Sequence, residues 1–153
     1  MATEIVQYSE KFKGYFKSLN VEWLNKYYSI TAADLEILEN PERIIQEGGY
    51  VFFAVLDDVV VGTCAIVPHE VHSCELIKMG VRENYQGKGI GKLLLEKVIE
   101  QAREKGFRTM TLETASTLEV AVSLYKKIGF VQTSPEEKHP KFGRMTFKME
   151  MKL

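Results

Sequence analysis

The chain has 153 residues, 45% of them hydrophobic and 27% charged, with a formal net charge of −1. That size suits one globular domain over 1–153 that buries its own core, and the near-neutral charge gives no electrostatic footprint for nucleic acid. Two cysteines, Cys64 and Cys74, are too few for a disulfide scaffold, and no apolar run approaches the roughly 20 residues that span a bilayer.

Met1-Ala2-Thr3-Glu4 carries an acid and no apolar segment, so no secretory leader is expected and a cytoplasmic protein is. Glu4–Tyr8 reads as an opening strand. Phe12, Phe16, Leu19, Trp23 and Tyr27 then recur every three or four residues, one face of a helix or of two short ones. Thr31-Ala32-Ala33-Asp34 offers a cap for a second helix through Leu38, which Pro41 stops or restarts. Tyr50–Leu56 and Val59–Val67 are rich in β-branched and aromatic residues, and Asp57-Asp58 between them predicts a hairpin.

Ser73–Val81 follows as a strand. Regular alternation puts Glu75, Ile77, Met79 and Val81 on one face and Leu76, Lys78 and Gly80 on the other. Ile90, Leu94, Val98 and Ala102 mark an amphipathic helix closed by Lys105-Gly106. Arg108–Thr114 is a strand, and Ser116 with Glu119 predicts a capping box for a helix ending at Gly129. After Phe130–Thr133 and a proline-containing loop, Met145, Phe147, Met149 and Met151 alternate with polar residues, a strand with one buried face. The order predicts an α+β fold: a mixed, mostly antiparallel central sheet with helices on both faces.

Gln86-Gly87-Lys88-Gly89-Ile90-Gly91 lies between a strand and the strongest helix. Backbone amides at a helix N-terminus lack intrahelical partners and suit a phosphate, and glycine permits both positive φ and close approach. Lys88 and Lys92 add positive charge. The loop is not a Walker A sequence, which needs Ser or Thr after the lysine, nor the Gly-x-Gly-x-x-Gly of a dinucleotide fold.

Gln86-x-x-Gly89-x-Gly91, preceded by Val81 and Tyr85, resembles the acetyl-CoA pyrophosphate loop of the GCN5-related N-acetyltransferases. Ala121-x-x-Leu124-Tyr125-x-x-x-Gly129-Phe130 resembles that family's second signature. One position departs: Leu118 stands where the family commonly has asparagine. The match covers most of Tyr50–Phe130. Leu19–Leu24 and Glu75–Val81 are similar to acetyltransferase domains that also occur fused behind MarR-type transcriptional regulators.

The resemblance implies an acyltransferase that moves an acetyl group from acetyl-CoA to a primary amine by direct transfer in a ternary complex, without a metal. A non-catalytic acyl-CoA sensor of the same fold is the alternative. It implies that the strands before and after the first signature helix splay, so that Met79, Gly80, Val81 and Thr114 bind the pantetheine arm. A backbone amide near Met79 would serve as oxyanion donor. Residues 86–92 would hold the pyrophosphate.

Glu75 stands eleven residues before Gln86, the spacing of a glutamate base in related histone acetyltransferases; base, substrate-ammonium anchor and solvent-facing carboxylate all remain open for it. Tyr125 matches the residue that protonates the departing thiolate in relatives, with core packing as its other reading. Trp23 and Tyr27 are candidates for an amine pocket by cation–π contact, with core packing again open. Cys64 and Cys74 have no base partner in sequence, and His69-x-x-His72 lacks further metal-ligand spacing. A second copy of the chain as partner is left open, and the substrate is not legible.

Overall fold

The computed structural model describes residues 2–153. Its strands are Thr3–Gln7 (β1), Tyr50–Leu56 (β2), Val59–Pro68 (β3), Ser73–Val81 (β4), Thr109–Thr114 (β5), Val131–Gln132 (β6), Glu137–Lys138 (β7) and Met145–Lys152 (β8). Its helices are Lys13–Tyr27 (α1), Ala32–Leu38 (α2), Pro41–Gln46 (α3), Ile90–Glu104 (α4) and Glu119–Ile128 (α5). The strands form one sheet in the order β1-β2-β3-β4-β5-β8-β6, with β7 added to β8. Only β4 and β5 run parallel; the other pairs are antiparallel. This is the mixed, mostly antiparallel α+β sheet that the element order predicts.

β2 and β3 are continuous apolar runs because both faces of the sheet are covered. Phe52 packs with Leu94, Leu95 and Val98 of α4, while its neighbour Phe53 packs with Phe16, Leu19 and Leu24 of α1. Asp57 and Asp58 both take positive φ, 51° and 64°, the backbone of a tight hairpin turn that aspartate tolerates better than most residues.

Strand β4 departs from regular alternation. Its register with β3 pairs Thr63 with Gly80 and Ala65 with Ile77, so three steps of β4 oppose two of β3. Lys78 sits in the resulting bulge at φ 52°, and neither it nor Met79 has a register partner on β3. The extra residue reverses the faces beyond it. Ile77 packs with the α1 cluster, but Met79 packs with the α4 cluster and Val81 with Ile90, while Gly80 turns to Trp23 and Leu19 of α1. Glu75 and Ile77 therefore do not share a face with Met79 and Val81, correcting the expectation from alternation.

Two further expectations change. Ser116 does not cap α5: its amide and hydroxyl donate to the Glu136 carboxylate at 2.8 and 3.0 Å, and the helix starts after Leu118 without a side-chain cap. Met145, at the end of β8, is half-exposed, whereas Phe147, Met149 and Met151 are buried. β7 arises inside the segment read as a loop.

The Thr31–Asp34 box does form, and Asp34 carries far more than the cap. Its Oδ2 accepts from the Thr31 amide at 3.0 Å. Lys78 Nζ donates to its Oδ1 at 2.7 Å, and Arg144 grips both oxygens at 3.2 and 2.5 Å. The carboxylate is fully buried, so one side chain ties α2 to the β4 bulge and to the segment before β8. Burial opposes its charge, but the Arg144 and Lys78 hydrogen bonds and the Thr31 amide outweigh it and hold the carboxyl well below the usual carboxylate range.

Asp34→Asn leaves two mostly buried cations without their counter-charge and should destabilise the fold by about 3 kcal/mol at neutral pH. With a native pKa below that of the unfolded chain, the unfolded state binds more protons in between, so this stability is complete above about pH 4 and disappears as pH falls further. Urea unfolding of both proteins across pH should show the gap closing on the acid side.

Candidate active site

β4 and β5 pair only from Ser73–Leu76 to Thr109–Leu112; beyond that point they part. Their opening leads into a cavity of about 930 Å³. One wall is the end of β4, another the loop and N-terminus of α4, and a third the N-terminal part of α5.

The loop is built by glycine. Gly87 and Gly89 adopt φ 79° and 78°, and a Cβ on either would meet open space, so conformation, not crowding, demands glycine there. Gly89 is the N-cap of α4, whose first helical bond runs from Leu93 to the Gly89 carbonyl at 3.0 Å. The amides of Ile90, Gly91 and Lys92 precede that bond and have no intrahelical acceptor. Gln86 Nε2 donates to the Val81 carbonyl at 3.0 Å, tethering the loop to the end of β4. Gly91 lets α4 close on its neighbours: its Cβ would touch Leu124, Met79 and Val81 at 3.5–3.9 Å. Gln86, Gly87, Gly89, Ile90 and Gly91 line the cavity; Lys88 and Lys92 are exposed and do not. Lys88 instead lies 5.6 Å over the Tyr85 ring.

Facing the loop, Tyr125 is buried, edge-on to Phe130, with its hydroxyl 4.0 Å from Met79 Sδ. Burial pushes its phenol pKa up, with the nearby Cys64 thiol adding to the effect, so it holds its proton at neutral pH. Thr114, at the parted end of β5, has a buried hydroxyl with no hydrogen-bond partner among the described residues. Met79, Gly80, Val81 and Thr114 all line the cavity.

Trp23 and Tyr27 of α1 line the far side, the Trp23 indole held by Asn20 Oδ1 at 2.9 Å. Glu75 lines it as well and meets His69 Nε2 at 2.5 Å. A second pair, Glu113 and His139 at 2.8 Å, stands on the β5 side. Neither the Glu113–His139 pair nor the Lys78–Asp34–Arg144 cluster was anticipated, because their partners are distant in sequence. Neither cysteine lines the cavity. Burial pushes the Cys74 thiol up to about 12 and raises Cys64 as well. Among the described residues no three His, Cys, Asp or Glu side chains converge as a metal site, and no helix is long and apolar enough to cross a membrane.

Parted strands beside a glycine-turned helix N-terminus suit a ligand that joins an extended amide-bearing arm to a pyrophosphate, the chemistry of an acyl-CoA. Residues 16–130 match the acetyltransferase (GNAT) family, and the chain belongs to it. An uncharacterized N-acetyltransferase of Dictyostelium discoideum is 38% identical over 80 residues, covering 52% of this chain and 37% of that relative. One from Escherichia coli K12 is 34% identical over 110 residues, covering 69% of this chain and 64% of that relative. The chain thus spans between about a third and two thirds of the length of these two. A Salmonella typhimurium acetyltransferase, solved with its cofactor acetyl-CoA, superposes with a TM-score of 0.81 at 21% identity, covering 99% of this chain and 94% of that one.

The site wall predicts its own sensitivity. A Cβ on Gly80 would lie 2.7 Å from Trp23 Cδ1 and 3.3 Å from the Leu19 carbonyl. Gly80→Ala should displace the indole from Asn20, shift the emission of the single tryptophan, and lower stability by about 1–3 kcal/mol. Unchanged emission and an unchanged urea midpoint would mean that this wall yields freely.

Proposed function

We propose that the protein is an acetyl-CoA-dependent N-acetyltransferase, one domain over 1–153, that acetylates a primary amine by direct transfer in a ternary complex. The observation that carries the reading is the parting of β4 and β5 beyond Leu76 and Leu112, which bares backbone of Met79–Val81 beside the free amides of α4. The pantetheine arm adds to the bared edge of β4, and the unpartnered Thr114 hydroxyl finds an acceptor or donor along it. The pyrophosphate takes the α4 N-terminus, where Gly87 and Gly89 leave the main chain open. The likeness to MarR-fused domains, carried by Leu19–Leu24 and Glu75–Val81, belongs to this proposal as a statement of ancestry.

The amine nitrogen attacks the thioester carbonyl; the C–N bond forms and the C–S bond breaks. The amide of Met79, freed from β3 by the bulge, supports the oxyanion. Tyr125, protonated at neutral pH, gives its proton to the leaving thiolate. Glu75, with His69 against it, takes the amine's proton through water, since the bulge turns its face of β4 away from Met79. The high thiol pKa values and the placement of Cys64 and Cys74 off the cavity support direct transfer over an acyl-cysteine route.

Two measurements test this. Gly89→Val forces a β-branched residue into positive φ over the anion site and should weaken CoA binding at least about tenfold by calorimetry; unchanged affinity would remove the loop from the site. Glu75→Gln should keep CoA affinity and lower turnover roughly 100- to 10,000-fold near neutral pH, with partial recovery at high pH where the amine is already free. Retained kcat with a raised KM for the amine makes Glu75 an anchor and leaves the proton to an ordered water or another carboxylate.

A further inference from the structure

Three cations surround one aromatic ring that lines the cavity. Lys78 Nζ lies 4.6 Å from the Phe142 centroid, Lys141 Nζ 5.6 Å, and the Arg144 guanidinium carbon 5.2 Å. Arg144 is also stacked 4.9 Å from Tyr28. Among the described residues, the only carboxylate paired with any of the three is Asp34. Its two oxygens are already taken by Thr31, Lys78 and Arg144, and it lies behind the wall, while Lys78, Lys141, Phe142 and Arg144 face the cavity. Of the five acids that share the lining, Glu75 meets His69, Glu113 meets His139 and Glu36 meets Arg43, while Glu47 and Glu119 have no ion-pair partner among the described residues; none of the five is paired with Lys78, Lys141 or Arg144. Around the Phe142 ring itself, three cations thus meet a single paired carboxylate, Asp34.

Lys78 and Arg144 are mostly buried, where unbalanced charge is costly unless an anion offsets it, and the exposed Lys141 adds a third positive charge beside them. Lys78 registers the shortage: burial lowers its pKa, Asp34 offsets this only in part, and repulsion from Arg144 and Lys141 adds to the lowering. Lys78 also adjoins Met79 in the chain, and both line the cavity.

We propose that the amine acceptor carries a carboxylate, which Lys78, Lys141 and Arg144 bind, so that the substrate class is free amino acids. This rests on the acetyltransferase reading above. An amino acid presents amine and carboxylate a few bonds apart, matching an anion site in the cavity where the thioester is proposed to lie. The same wall repels polyamines and aminoglycosides, whose additional ammonium groups would meet like charge.

The test compares the twenty L-amino acids with their primary carboxamides as acceptors in a thiol-release assay with acetyl-CoA. For the preferred side chain, the carboxylate should give at least about tenfold higher kcat/KM, chiefly through KM, and the preference should shrink with added salt. Lys141→Met, at an exposed position, should cut that preference severalfold. Equal or reversed preference, or one indifferent to both salt and Lys141→Met, overturns the proposal. A second arm needs no turnover: calorimetry of CoA-loaded protein with N-acetyl-L-amino acids against their amides. Tighter binding of the acids upholds the anion site even if every amine fails as a substrate, in which case the acetyltransferase reading falls alone. Equal binding, or none by either set, overturns the anion site.

Discussion

The one extra residue in β4 governs how the rest of the site is arranged. Lys78 takes a left-handed backbone conformation that costs a non-glycine residue about 1–2 kcal/mol. The ion pair with buried Asp34, itself clamped by Arg144, holds Lys78 there. The consequences run in both directions along the strand. Before the bulge, Leu76 packs under α4 and Ile77 under α1. After it, Met79 and Val81 turn toward α4 and α5, Gly80 receives the Trp23 indole, and the backbone at 78–79 loses its partners on β3.

The same cluster fixes the electrostatics of the cavity. The N-terminus of α4 presents free amides and the positive end of its dipole to the cavity. Lys78, Lys141 and Arg144 also face the cavity, with Asp34 holding two of them from behind, and they are the residues we propose bind the acceptor's carboxylate. The apolar side chains of Leu124, Met79 and Val81 and the protonated Tyr125 phenol line it as well. In the complex we propose, the donor's phosphates lie on the α4 N-terminus and the acceptor's carboxylate on the cation cluster.

Much of this arrangement was legible from local signals. Periodicity marked α1 and α4, the Asp57-Asp58 turn marked a hairpin, Thr31 and Asp34 marked a cap, and the glycine pattern marked the α4 N-terminus. Failures occurred where a distant partner outbid a local one. Ser116 has a good capping partner at Glu119 but is taken by Glu136, 20 residues along the chain. Alternation in β4 is uniform in sequence, and nothing nearby announces that Lys78 is pulled into a bulge by an aspartate 44 residues earlier. Arg144 reaches Asp34 across 110 residues. The Lys78–Asp34–Arg144 cluster was therefore hidden, while the turn into α4 could be read from glycines alone.

The central claim is that the acyl donor lies along the parted edge of β4 with its phosphates on α4. Amide hydrogen exchange, read with and without saturating CoA, tests this most directly. The account predicts new protection concentrated at Met79–Val81 and at Gly89–Lys92, with β1 and β2 unchanged. CoA binding that left those two segments as exchangeable as before, and protected another part of the chain, would contradict it.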